Sequence, residues 1–309
     1  MRRTLVALVG ATATGKTAVG EHLAAHLRGA VICADARQVY RELEIGTGKP
    51  TPAERARFAH RLFDLHRLGE RATAGRWARA AAATCEQCFA DGLTPVLVGG
   101  SGLYLSALQL GLHPEPPRDP ALRAELEREW TALGPGAMHA KLSSLDPAAA
   151  SSLRANDRQR VLRALEVVTA GGHPLGWWRE HTRVAPLAAR WRTFELTCES
   201  DVLAERITRR TLAMWETGLL EETRALVAAG QATELRQLAT IGYDEALGVI
   251  EGTLAKGEAV ARMALRTRQL AKRQRTWFRH QMVAETLDAA DPGPDGARLA
   301  EHIVSRLAR

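Results

Sequence analysis

The sequence predicts an α/β protein, a parallel sheet flanked by helices and interrupted by an all-helical insertion. Short apolar, β-branched runs alternate with helix-like stretches over the first third of the chain. The first of these runs leads straight into a glycine-rich loop that opens a helix. Between Asp119 and about Arg183 no strand-like run occurs, and helix signals follow one another instead. Buried strands that alternate with helices imply parallel pairing, because each crossover helix carries the chain back to the same end of the sheet and covers one face.

Residues 5–9 form the first expected strand, and residues 16–27 have the spacing of the helix after it. Residues 30–34 are a second buried run that ends at Asp35. Residues 77–89 read as a helix, and residues 95–98 as a third strand ending in Gly99-Gly100. The proline-rich stretch 113–118 marks a junction. Beyond it, Asp119-Pro120 and Asp146-Pro147 each open a helix with an acidic cap and a proline in the first turn. Asn156 caps a third helix, which Gly171-Gly172 ends. Residues 191–198 read as a strand rejoining the first sheet, followed by helices over 202–215, 219–229, 243–251 and 258–279. After His280 the pattern fades into an Asp291-Pro292-Gly293-Pro294 loop and a short helix. The expected division is a core of residues 1–117 and 184–309, with residues 118–183 inserted.

The chain has 309 residues, 46% hydrophobic and 25% charged, enough for a sizeable core and with no apolar run long enough to span a bilayer. Met1-Arg2-Arg3 and the apolar stretch after it resemble a leader only superficially, because the stretch is short and runs directly into the glycine loop. It reads as a strand, and the protein as cytoplasmic, with no membrane partner and a monomer expected. A formal charge of +7 and a pI of about 9.7 favour polyanionic partners. Cys33 and Cys198 sit in apolar runs. Cys85 and Cys88 have the spacing of half a zinc site, but no second pair completes it. The ten histidines show no metal spacing either.

Gly10-Ala11-Thr12-Ala13-Thr14-Gly15-Lys16-Thr17 fits G-x-x-x-x-G-K-[ST], with a strand before it and a helix after. In such a loop the backbone amides of Gly10, Thr12, Ala13, Thr14 and Gly15 curl around phosphate oxygens, and the helix N-terminus adds positive potential. Lys16 contributes a full charge, and Thr17 offers a hydroxyl to Mg²⁺. The expected fold is therefore P-loop NTPase-like, and the expected ligand is a polyphosphate. An ATPase usually places an Asp at the end of a further apolar strand to hold its metal, whereas residues 95–98 end in glycines. Asp35 stands at a strand end beside the loop and has two readings, metal shell or general base.

Arg268, Lys272, Arg275 and Arg279 follow helical spacing and form a basic stripe suited to an RNA backbone. Arg154, Arg158, Arg160 and Arg163 are a second such cluster. Arg206 and Arg210 are four apart and share a helix face. Trp177-Trp178 suits either base stacking or the interior of the insertion.

Several of these residues resemble the bacterial tRNA dimethylallyltransferases, also called tRNA isopentenyltransferases. The resemblance rests on residues 10–17, Asp35-Ala36-Arg37-Gln38-Val39-Tyr40, Gly46-Thr47-Gly48-Lys49-Pro50 and Gly99-Gly100-Ser101-Gly102-Leu103-Tyr104. It continues through Asn156-Asp157-Arg158-Gln159-Arg160, Ile241-Gly242-Tyr243 and the run from Arg268 to Trp277, and so covers nearly the whole chain. Ala36 stands where the family usually has Ser, Gly48 where it has Ala or Ser, and Ser101 where it has Thr. The segment 72–77 lacks the aromatic pattern common there.

The resemblance implies transfer of a dimethylallyl group from dimethylallyl diphosphate to N6 of the adenosine immediately 3′ of the anticodon, with release of diphosphate. It implies Asp35 as general base, and Lys16, Thr17, Ser101 and Arg210 on the diphosphate with Mg²⁺. It implies contacts to the tRNA anticodon stem-loop from Asp35, Ala36, Arg37, Gln38 and Ser101, and from Arg123, Gln159, Arg160 and Arg163. Ile241, Gly242 and Tyr243 are expected there too, and Arg268, Lys272 and Arg275 on the basic helix. Prenylation of free adenine nucleotides would use the same loop and Asp35 but neither the insertion nor the basic helix. A small-molecule kinase or a non-catalytic RNA-binding protein would not need this combination of motifs.

Overall fold

The computed structural model describes residues 3–111, 116, 119–181, 185–291 and 296–308. In chain order the elements are β1 (Thr4–Gly10), α1 (Lys16–His26), β2 (Gly29–Cys33), α2 (Pro52–Arg57), β3 (His60–Arg61), α3 (Ala74–Ala90), β4 (Thr94–Val98) and α4 (Gly102–Leu110). Then come α5 (Pro120–Leu145), α6 (Pro147–Ser152), α7 (Arg158–Gly171) and α8 (Leu175–His181). The chain continues through β5 (Arg190–Thr197), α9 (Ser200–Glu216), α10 (Leu219–Ala228), α11 (Ala232–Leu238), α12 (Tyr243–Ile250), α13 (Lys256–Gln281), β6 (Glu285–Asp288) and α14 (Ala297–Leu307).

The six strands form one sheet in the order β3-β2-β4-β1-β5-β6, and every pair is parallel. The expected strands are all present. The expectation lacked β3 and β6, which lie at the two edges and are two and four residues long. Glu285–Asp288 has charged residues at both ends, so its strand character comes from pairing with β5, not from its own side chains. Leu5, Leu8 and Val9 in β1 are fully buried. Removing side chains of this size from water stabilises the fold by about 1.5–3 kcal/mol each. One face of the sheet packs through Val6, Leu8, Val96 and Phe194 against Val19 and Leu23 of α1 and Leu299 and Ile303 of α14. The ends of β1, β2 and β4 therefore meet at one edge, where loops can converge on a ligand.

The chain divides into two compact units, residues 1–108 with 188–309 and residues 109–187. The second unit is wider than the expected insertion 118–183. The unit boundary follows tertiary contacts; of the proline-rich stretch expected as the junction, residues 113–115 and 117–118 lie outside the described residues, as does Arg183. No strand occurs among the described residues of this unit. Leu126, Met138, Leu142, Val161, Leu162 and Leu165 give it a core of its own. Asp119 and Asp146 cap α5 and α6 as their sequence suggests. Asp157, one residue past Asn156, caps α7 by accepting from the Arg160 amide at 3.2 Å. α5 bends at Gly134, where φ is 79° just before Pro135.

Candidate active site

β1 ends at Gly10, where φ is 135° and a β-carbon would collide with the Leu196 carbonyl of β5. Only glycine lets the chain leave the sheet there. The loop then takes left-handed backbone at Ala13 (φ 66°) and Gly15 (φ 87°). At Ala13 this costs about 1–2 kcal/mol. The turn is held by the Thr14 hydroxyl, which donates to the Ala11 carbonyl at 2.9 Å. The amides of Gly15, Lys16 and Thr17 make no hydrogen bond among the described residues, and α1 starts with neither a side-chain cap nor an acidic residue in its first turn. Unsatisfied N–H groups backed by the helix dipole make an anion cradle.

Lys16 reaches back over this cradle and donates to the Ala11 carbonyl at 2.5 Å. Withdrawal from water lowers its pKa to about 8; Asp35 opposes that shift and Arg210 adds to it. Arg210 projects from α9, donating to Thr12 Oγ1 at 3.4 Å and to the Thr47 carbonyl at 3.2 Å. Asp35, just past β2, accepts the Arg37 and Gln38 amides on Oδ1 at 2.8 and 3.3 Å. Among the described residues no hydrogen bond engages its Oδ2.

Two cavities flank these groups. The first, of about 750 Å³, is lined by the phosphate loop with Lys16 and Thr17, by Lys49, and by Arg206 and Arg209. The second, of about 530 Å³, is lined by Ala36, Arg37, Ser101, Ile241, Met263 and Arg273, among others. Thr12, Asp35, Thr47, Gly100, Arg210 and Gln274 line both and form the wall between them. The first chamber carries the basic side chains of Lys16, Lys49, Arg206, Arg209 and Arg210 beside the acidic ones of Glu21, Asp35 and Glu54, whereas the second mixes apolar side chains such as Ile241 and Met263 with polar ones such as Arg37 and Ser101.

The sequence model of the IPP transferase family matches residues 38–281, and that of the isopentenyl transferases matches residues 3–68. The chain belongs to the IPP transferase family. It is 43% identical to a tRNA dimethylallyltransferase of Anaeromyxobacter sp. (strain Fw109-5), over 98% of this chain and 100% of that relative. It is 41% identical to the tRNA dimethylallyltransferase of Synechococcus sp. (strain CC9311), over 96% of this chain and 93% of the relative. The crystal structure of the full-length tRNA isopentenylpyrophosphate transferase from Bacillus halodurans superposes with a TM-score of 0.69 at 33% identity, covering 99% of this chain and 97% of that one.

Within this IPP transferase, Lys16, Thr17, Asp35 and Arg210 all line the first chamber. Ser101 lines the second chamber, not the first, and its Oγ accepts the Ala36 amide at 2.8 Å. Gln38 spends its amide nitrogen on the Thr47 and Gly48 carbonyls at 3.2 and 3.0 Å. Tyr243 is fully buried and donates a short hydrogen bond to Glu222. Glu222 also accepts the Glu44 and Ile45 amides at 2.9 and 2.8 Å, so Tyr243 braces the wall behind the site. Ile241 lines the second chamber, and Gly242 turns the chain there with φ 97°.

In the second unit, Arg123 and Arg163 pair with the buried Glu166 at 3.2 and 3.0 Å and brace the helices. Gln159 and Arg160 are exposed. Trp177 is sandwiched between the rings of His173 and His181, with centroids 4.0 and 4.5 Å away. On α13, Arg268 and Lys272 are exposed and form no ion pair with the described residues, while Arg275 donates to Ser200 Oγ at 2.9 Å. Arg206 donates to the Ala290 carbonyl at 2.8 Å. Sequence reasoning missed Arg273 and Gln274, which lie in the run from Arg268 to Trp277, and Arg209, which lies in none of the motifs; each lines a chamber only through tertiary placement. Among the described residues no group of three or more His, Cys, Asp or Glu could hold a metal. All four cysteines are free and buried. No helix among the described residues is long and apolar enough to cross a membrane.

Proposed function

We propose that this chain transfers a dimethylallyl group from dimethylallyl diphosphate to N6 of the adenosine immediately 3′ of the anticodon in tRNA. The observation that carries this reading is the shared wall. A cationic polyphosphate chamber and a second, base-sized chamber meet at Asp35 and Arg210. A transfer between a diphosphate and a nucleobase requires that adjacency.

An exocyclic adenine amine is a weak nucleophile, so the main task is to stabilise the leaving diphosphate. As the allylic C–O bond breaks, charge grows on the oxygens facing the loop amides, Lys16 and Arg210. The C1–N6 bond forms, and Asp35 accepts the N6 proton. The Thr17 hydroxyl and the Asp35 carboxylate are oxygen donors of the kind Mg²⁺ takes together with substrate phosphates and water. When bound, Mg²⁺ neutralises diphosphate charge, and Thr17 would hold it. Ser101 acts here by fixing the Asp35–Gln38 turn. Arg268 and Lys272, with Gln159 and Arg160 of the second unit, bind RNA phosphates, and a tRNA acceptor places the enzyme in the cytoplasm.

The test is incubation with bulk tRNA and labelled dimethylallyl diphosphate, followed by nucleoside analysis, with AMP as the competing acceptor. Label in a prenylated tRNA adenosine is the expected result. Label only in AMP, or none, overturns the reading.

A further inference from the structure

The phosphate loop is tied to the basic helix by one side chain. Gln274 of α13 accepts the Thr12 amide on Oε1 at 2.8 Å and donates from Nε2 to the Gly100 carbonyl at 3.0 Å. Its two partners belong to different loops, one after β1 and one after β4. Among the described residues no other side chain of α13 is seen to hydrogen-bond the phosphate loop. Three residues further on, Trp277 lies so close to α4 that a β-carbon on Gly102 would collide with its ring. The helix is thus seated on both loops, by shape at Trp277 and by directed hydrogen bonds at Gln274.

Gln274 also lines both chambers. Next to it are Arg273, in the wall of the second chamber, and the exposed Lys272. Any displacement of α13 relative to the loop would change the distance between a base held on the helix side and a diphosphate held in the cradle. Resting on the function proposed above, we propose that Gln274 is a positioning residue for the transfer step. Its carboxamide fixes the basic helix to the phosphate loop and so sets the register between acceptor and donor. It touches neither reacting atom. It also keeps the Thr12 amide out of the anion cradle, leaving the diphosphate to the amides that follow.

This role separates binding from rate. Gln274→Met keeps the length and volume of the side chain and removes both hydrogen bonds. We expect its affinity for dimethylallyl diphosphate without tRNA to be unchanged or tighter, because the Thr12 amide is freed. Affinity for a stem-loop RNA bearing the target adenosine should stay within about threefold, since phosphate contacts are untouched. The single-turnover rate with both substrates saturating should fall about 10- to 100-fold, the scale of misplacement by about 1 Å.

A second variant gives a readout that loss of packing would not move. In Gln274→Glu the carboxylate accepts from Thr12 but faces the Gly100 carbonyl. Once protonated, the acid again offers one acceptor to Thr12 and one donor to the Gly100 carbonyl. The ratio of its transfer rate to that of the wild type should therefore rise as pH falls. A saturated rate for Gln274→Met within twofold of wild type overturns the proposal. So does a rate loss matched by an equal loss of donor affinity, which would make Gln274 a prop of the cradle. Should Gln274→Met fail to fold, a pH-independent ratio for Gln274→Glu overturns it instead. Absence of transfer by the wild type would strike the proposed function, a separate outcome.

Discussion

The guanidinium of Arg210 occupies the space that a β-carbon on Gly48 would fill. Gly48 also has φ 59°, left-handed backbone that glycine adopts freely. An alanine or serine at this position is therefore not interchangeable with the glycine of this chain. Gly48→Ala should leave the fold intact but displace Arg210 from the wall between the chambers. Loss of one charge-assisted hydrogen bond, about 1.5–3 kcal/mol, corresponds to roughly 10- to 100-fold weaker diphosphate binding. Calorimetric titration with inorganic diphosphate checks this, and an unchanged affinity would mean Arg210 does not hold the anion.

Lys16, whose pKa is depressed to about 8 by burial, gives two pH effects of opposite sign. Its charge is lost as pH rises through about 8, so diphosphate affinity should weaken across that range. The unfolded chain keeps the proton up to the ordinary value of 10.5, so the stability of the free protein gains a contribution as pH rises from about 8 to 10.5. In Lys16→Met both dependences should flatten. Titrations and urea melts at a series of pH values measure them, and a variant that retains the wild-type slope would assign the effect to another group.

Asp35→Asn should keep tRNA affinity within a few-fold and cut the single-turnover rate by roughly 10²–10⁴, the usual range for general acid–base catalysis. The amide can still accept the Arg37 and Gln38 amides, so the turn survives. Recovery of the rate at high Mg²⁺ would replace the base role with a metal-shell role.

Arg268→Ala with Lys272→Ala removes two exposed cations that have no ion-pair partner among the described residues. Donor affinity should be unchanged. The slope of log K for tRNA against log salt should become shallower by about 1.4–1.8, for two lost phosphate contacts at 0.7–0.9 each. An unaltered slope would move RNA recognition off this helix.

The cradle was legible because a glycine pattern, a strand and a helix dictate it locally: Gly10, Gly15, Lys16 and Thr17 sit where their spacing puts them. Asp35 was legible as an acid at a strand end. Side chains whose roles depend on distant partners were not. Tyr243 lies in a motif and looks like a contact residue, but Glu222, on another helix, draws it inward. Arg123 and Arg163 look like phosphate ligands until the buried carboxylate of Glu166 takes them. Gln274 carries no charge and stands in a run of cations, so nothing local marks it. The edge strand β6 owes its conformation to β5, which no window of sequence around residues 285–288 contains.

The pairing of β1 with β5 joins Thr4 to Arg190 and Gly10 to Leu196. A growing polypeptide thus exposes its first strand long before one of that strand's two neighbours exists. The unit of residues 109–187, contiguous and with its own core, leaves the ribosome in between. We expect it to acquire structure first, while the unit holding the cradle waits for β5 and then for α14, a high-contact-order topology that folds slowly. Protease protection of arrested nascent chains should therefore appear in the helical unit before the phosphate loop. Simultaneous protection would show that the sheet nucleates without its late strand.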